Sequence, residues 1–198
     1  MAISKVTICN SALAKLGASR ISSLTEANKN ARLCKELYPR LAQALLRAHP
    51  WNFAIDRVQV AKDATAPEYG YSSRFAIPED CLRILNVDAE YHDESNGGTF
   101  FAWKREGDYI LANSSTLEIR YIKDISEYPD DFDANFVEAL AYYLASDLAY
   151  PITGSRTLSV DMYNKYKEQL SLARSYDGQE GSSDRIGATS WLDARYQE

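Results

Sequence analysis

The sequence predicts an α+β protein. It reads as mainly an antiparallel helical bundle, with a small antiparallel β-sheet inserted between the helical halves and an extended C-terminal tail. Three observations carry this. From Asn28 to Ala54 the apolar residues Ala31, Cys34, Tyr38, Leu41, Leu45 and Ala48 alternate at spacings of three and four, the mark of one face of an α-helix. From Ile55 to Ile122 short, near-alternating apolar runs are separated by turn residues. After Pro129 the helical spacing returns, and beyond Gly178 the composition turns polar and rich in Gly and Ser. The expected units are residues 1–53 and 129–178 as two halves of a bundle, 54–128 as the β-rich insertion, and 179–198 as the tail.

Ser4 to Leu16 reads as a first helix, with Val6, Cys9, Leu13 and Leu16 on one face and Gly17 as its stop. Ser19 to Asn28 is a polar connection, in which Ser23 and Glu26 have capping-box spacing while Thr25 or Asn28 could equally start the next helix. In the long helix, Lys29, Arg32, Glu36, Arg40, Gln43 and Arg47 take the polar face. Pro39 removes a backbone hydrogen bond and crowds the carbonyl near Lys35, at about 3 kcal/mol. A kink, or two helices end to end, is expected there. His49 precedes Pro50, which stops the helix. Trp51 and Phe53 then alternate around Asn52, and His49, Pro50, Trp51 and Phe53 together make a structural corner between a helical layer and a sheet. On the residues alone Trp51 reads as a core plug, with a binding role as the lesser alternative.

Ile55 to Val60 alternates as a half-exposed strand, and Ala61 to Ser73 is a loop broken by Pro67 and Gly70. Arg74–Ile77 and Leu82–Val87 follow, then a hydrophilic loop from Tyr91 to Gly98. Phe100–Lys104, Tyr109–Ala112 and Leu117–Ile122 are separated by Glu106-Gly107-Asp108 and Asn113-Ser114-Ser115, which is good turn chemistry. Three strands with two tight turns predict a meander within a sheet of four to six strands. Asp130, Asp131 and Asp133 then fall in the first turn of a helix, where its dipole favours carboxylates. Asn135 to Tyr150 is apolar apart from Glu138, Ser146 and Asp147, and Pro151 and Gly154 end it. Thr157 to Tyr176 is the last helix, with Val160, Tyr163, Tyr166, Leu170 and Ala173 on its inner face.

Composition limits the function. A chain of 198 residues buries ~70% of its unfolded surface as one domain or a domain with an appendage. Net charge is −6, which argues against a nucleic-acid surface held by clustered Lys and Arg. It is compatible with a surface past which DNA slides. Fourteen tyrosines are many for this length and favour interfaces. Cys9, Cys34 and Cys81 lack paired spacing, and the first two fall on apolar helix faces as buried free thiols. Neither a signal-peptide pattern nor a membrane-length apolar run is present, so the chain reads as made and kept in a reducing cytosol, without a membrane anchor.

Catalytic and cofactor patterns are nearly absent. The two histidines, His49 and His92, have no companion at metal-ligand spacing. There is no GxSxG elbow, GxGxxG or GxxxxGK[ST]. Asp130, Asp131 and Asp133 could supply a carboxylate pair, as glycosidases need, but their place at a helix start reads as capping. Asp147 reads as a partner for an arginine or a subunit contact. No cofactor or metal is expected. The tail carries Ile186, Trp191, Leu192 and Tyr196 among polar residues. One aromatic and one leucine filling a partner's pocket, with Arg195 pairing at the rim, is the docking reading; packing on the chain's own domain, or fraying, is the alternative.

Five segments carry a resemblance: NSALAKLG at Asn10–Gly17, ARLCKELYPRLAQALLRAHPWNFA at Ala31–Ala54, RFAIPEDCLRIL at Arg74–Leu85, ALAYYLASDLAYPITGS at Ala139–Ser155, and the GQEG…SWLDAR tail. The chain resembles the tail tubular protein A family, the head-to-tail adaptors of short-tailed bacteriophages and related prophages. HPWNFA and SWLDAR are its more specific pieces. The resemblance implies a structural virion protein: a homo-oligomeric ring, commonly of twelve subunits, between the portal protein and the tail nozzle protein. Such a ring encloses the channel through which genomic DNA leaves, without binding it specifically. It also implies that Trp191, Leu192 and Arg195 dock on the portal or a neighbouring subunit. Two other classes remain open: a tail-associated glycan-cleaving enzyme, and a soluble cytosolic binding module.

Overall fold

The computed structural model describes residues 3–88, 92–93, 98–99 and 103–180. Helix α1 spans Lys5–Lys15 and is capped by the Ser4 hydroxyl, which accepts from the Thr7 N–H. Gly17, at φ 67°, takes the left-handed turn that closes it. Helix α2 spans Lys29–Ala48, and of the candidate caps it is Asn28 that accepts from the Ala31 N–H. Pro39 lies inside α2, and the expected division into two helices does not occur. Seven buried residues along α2, from Ala31 to Leu46, supply packing that outweighs the local cost of the proline.

The β half differs most from expectation. Strands β1 (Ile55–Ala61), β2 (Ser73–Ala76), β3 (Cys81–Asp88), β4 (His92–Asp93), β5 (Gly98–Thr99), β6 (Trp103–Glu106), β7 (Tyr109–Ala112) and β8 (Thr116–Lys123) form two antiparallel three-stranded sheets and one short pair. The first sheet has the order β1-β8-β3 and the second β2-β7-β6. The predicted meander of the last three strands is therefore incorrect. Strand β6 pairs with β7 as expected, but the other edge of β7 is taken by β2. With both edges of β7 occupied, the chain leaves the second sheet at Asn113-Ser114-Ser115 and β8 enters the centre of the first.

Phe75, Ile110 and Ala112 of the second sheet meet Val87, Leu117, Ile119 and Tyr121 of the first in a core of their own. That second core corrects the predicted fold class. The protein is not mainly a helical bundle with a small sheet attached. It is a mixed α+β fold, with four helices, two small three-stranded sheets and one short strand pair among the described residues, in which the β half has a buried interior of its own.

After β8, Pro129–Asp131 form a short 3-10 turn rather than the first turn of a helix. Helix α3 spans Ala134–Thr153 and is capped by Asp133 alone, whose carboxylate accepts from the Asn135 and Phe136 N–H groups. Pro151 sits inside its last turn, and Gly154 at φ 73° ends it. Helix α4 spans Arg156–Gln179, capped by Ser155. The larger core joins α1, α2 and α3 with the corner and one end of the first sheet. Cys9 and Cys34, both without exposed surface, lie inside it as free thiols. The hydrogen bond with Cys34, together with burial, pushes the Cys9 thiol well above its ordinary pKa.

Candidate functional site

Two regions hold the residues singled out from the sequence. The first is the corner. Trp51 is 1% exposed, and its indole N–H donates to the Leu45 carbonyl at 3.0 Å. Its ring stacks on Phe53 and meets Phe136 and His49 edge-on. Phe53 and Phe132 extend the same aromatic cluster onto Phe136. Trp51 is thus a core plug between helices and sheet, in keeping with the packing reading.

Sequence reasoning missed the residue that ties this corner to α4. Asp177 is 8% exposed, and its carboxylate accepts from the Asn52 N–H at 2.8 Å while contacting His49 Nε2 at 3.1 Å. The Asn52 amide donates to the Asp177 carbonyl at 2.6 Å. These bonds hold the last turn of α4 against the corner, so the corner fixes where residues beyond Glu180 begin. Asp177-Gly178 reads as a helix end, and nothing local points to partners over a hundred positions away.

His49 sits below its ordinary pKa of 6.5, first through burial, with the charges of Arg174 and Arg83 adding to the depression and Asp177 opposing it. A histidine depressed in the fold takes up its proton more readily when unfolded, so stability rises with pH across this titration. The contribution of His49 is complete above pH 6.5 and is lost as pH falls through the lower, folded value. The thermal midpoint is expected to decline on acidification from pH 6.5 towards that lower value more steeply in the native chain than in His49→Asn. Parallel pH profiles would remove His49 from the account.

The second region is the outer surface of α4. This helix packs chiefly on α3, with Tyr143 and Tyr166 stacked at 4.4 Å. Of the inner face expected from spacing, Tyr166 and Ala173 are buried, but Val160 is 57% and Tyr163 45% exposed. Leu172, Tyr176 and, on α3, Tyr150 are more than half exposed as well. The helical period puts Val160 and Tyr163 on one flank of the line of contact with α3, and Leu172 and Tyr176 on the other.

The candidate carboxylates are dispersed. Asp133 caps α3, Glu138 pairs with Lys15 at 2.6 Å and Asp147 with Arg40 at 3.1 Å. Asp147 therefore meets the arginine expected for it. Among the described residues no group of three His, Cys, Asp or Glu side chains could hold a metal ion, and no helix is long and apolar enough to cross a membrane. Ile186, Trp191, Leu192, Arg195 and Tyr196 lie outside the described residues.

No protein-family model and no curated protein matches this chain. The functional reading therefore rests on surface, packing and the resemblance of its motifs.

Proposed function

We propose that this chain is a non-enzymatic, ring-forming adaptor of a bacteriophage virion, joining the portal protein to the tail nozzle protein around the DNA exit channel. It would be made in the bacterial cytoplasm and reside at the head–tail connection. The observation that supports this best is the pair of exposed apolar flanks on α4. A subunit in a closed ring touches a neighbour on each side with two different surfaces, and a helix with Val160 and Tyr163 on one flank and Leu172 and Tyr176 on the other offers one to each. Tyrosines on a stiff helix are well suited to such contacts, since they bury a large apolar body while the hydroxyl keeps a polar partner. The resemblance of HPWNFA and of the SWLDAR tail to adaptor sequences adds direction: in this reading Trp191, Leu192 and Arg195 engage the portal or the next subunit.

Native mass spectrometry of the protein, alone and mixed with the portal protein from the same genome, tests the reading. A stoichiometric ring on the portal is expected. A chain lacking 182–198 is expected to remain folded and to lose that association. No association of the full chain across a range of salt concentrations would overturn the adaptor, and full affinity in the truncated chain would overturn the role of the tail.

A further inference from the structure

A cleft of about 390 Å³ opens between the loop that follows β1 and the outer face of the second sheet. Register builds its floor. Arg74, Leu111 and Lys104 form one row across β2, β7 and β6, with Tyr109 and Glu106 in the next row of the same face. Phe75 and Ile110, between those rows, point the other way into the second core. Tyr69 and Tyr71 complete the cleft from the loop, which Gly70 turns at φ 88°. The Asp63 N–H ties this loop to the sheet by donating to the Arg74 carbonyl at 2.8 Å.

Three tyrosines dominate the lining, and Leu111 is its one leucine, isoleucine or valine. Tyr69 is 87% exposed, so its ring adds little to the chain's own packing. None of the three phenol hydroxyls has a hydrogen-bond partner among the described residues. Arg74 is held on two sides: its guanidinium lies 4.5 Å from the Tyr109 ring centroid, and Nη2 donates to Asp63 at 3.1 Å. Lys104 pairs with Glu106 at 3.1 Å. Both cations are therefore matched by carboxylates, and Glu68 is left over, with no ion pair among the described residues.

We propose that this cleft binds a proline-rich, extended segment of another protein, flanked by Lys or Arg. Such a segment already holds a polyproline II conformation, so binding orders it at little cost. Prolines lack an N–H and leave a row of carbonyl acceptors, to which the unengaged phenol hydroxyls can donate. Flat tyrosine rings receive the pyrrolidine rings, and Glu68 takes the flanking cation. Other occupants fit less well. The cleft lies on a sheet face, so a peptide cannot add there as a strand, and an amphipathic helix needs more aliphatic surface than Leu111 supplies. Phosphates would meet cations that are already neutralised. The six prolines of this chain stand singly, so the segment belongs to a different protein. No α4 residue lines the cleft, and the ring can stand whether or not it is filled.

Fluorescence anisotropy tests the site, with the full chain and labelled synthetic peptides of about ten residues, each with a PxxP core and with or without a terminal arginine. Saturable binding below about 1 mM is expected for the native chain, tighter when the arginine is present. Tyr69→Ala, at so exposed a ring, should keep its circular dichroism spectrum and bind about tenfold more weakly. Glu68→Lys should weaken binding of the arginine peptides alone, and Tyr176→Ala, on α4, should bind as the native chain does. Absence of saturation for every peptide, equal binding of counterparts with alanine for proline, or native affinity in Tyr69→Ala would each overturn the proposal. An arginine preference unchanged in Glu68→Lys would overturn the assignment of the flanking cation. Binding of maltohexaose or oligothymidine that Tyr69→Ala abolishes would also overturn the proposal, because the cleft would then serve a glycan or a nucleic acid.

Discussion

Trp51→Ala is expected to lower the free energy of unfolding by about 3–5 kcal/mol, the range for truncating a fully buried large aromatic. The indole is 1% exposed, with Phe53, Phe136 and His49 packed around it and its N–H on the Leu45 carbonyl. Removal leaves a void among His49, Phe53 and Phe136 in the larger core, and orphans the Leu45 carbonyl in the last turn of α2. Urea unfolding of the two proteins measures the loss. A decrease under about 1 kcal/mol would show that the neighbouring rings collapse into the space, and the corner would then be an adaptable filling rather than a fixed joint. Trp51→Phe should retain part of the packing and fall between the two.

Asp177→Ala is expected to have the next largest effect. The carboxylate accepts from the Asn52 N–H and meets His49 Nε2, so its removal strands two polar groups in a largely buried place, at about 1–3 kcal/mol for each group left unsatisfied. The damage should be local. Amide hydrogen exchange is expected to accelerate in the last turns of α4 and at Asn52, while α1 and α3 keep their protection. Uniform acceleration over the whole chain would mean that this contact holds the global fold and not the end of one helix. Asp177→Asn retains an acceptor for Asn52 and should recover part of the stability.

How far these features could be read in the sequence depended on the range of the interactions behind them. Helices α1, α2 and α3 were legible because their periodicity is local, though the start of α3 was not, Pro129–Asp131 forming a separate 3-10 turn, and the burial of Cys9, Cys34, Tyr38 and Leu41 follows from spacing alone. The corner was legible because Pro50 follows the end of the apolar period and pushes His49 out of helical geometry, whereas Pro39, within the period, does not stop α2. Strand positions were close, but pairing was not, since alternation in β8 says that Leu117, Ile119 and Tyr121 share a face without saying which sheet they face. On α4 the apolar arc was visible, whereas its coverage was not: α3 covers Tyr166 and Ala173 and leaves Val160 and Tyr163 in solvent. Asp177 was hidden for the same reason, its partners being distant in the chain and its own surroundings polar.

The pairing of Ile55 with Ile122 has a consequence for how such a chain can change over time. The β half enters and leaves the helical scaffold through two residues that lie side by side, about 5 Å apart as antiparallel partners do. Apart from the edge where β3 lies along α2, with Arg83 donating to the Arg47 carbonyl, what lies between them is anchored at this one gate. An insert held in this way can be lengthened, trimmed or replaced without rethreading α1 to α4, provided its first and last strands still pair. The helical part can stay constant while the surface borne by the insert is remade for a different neighbour.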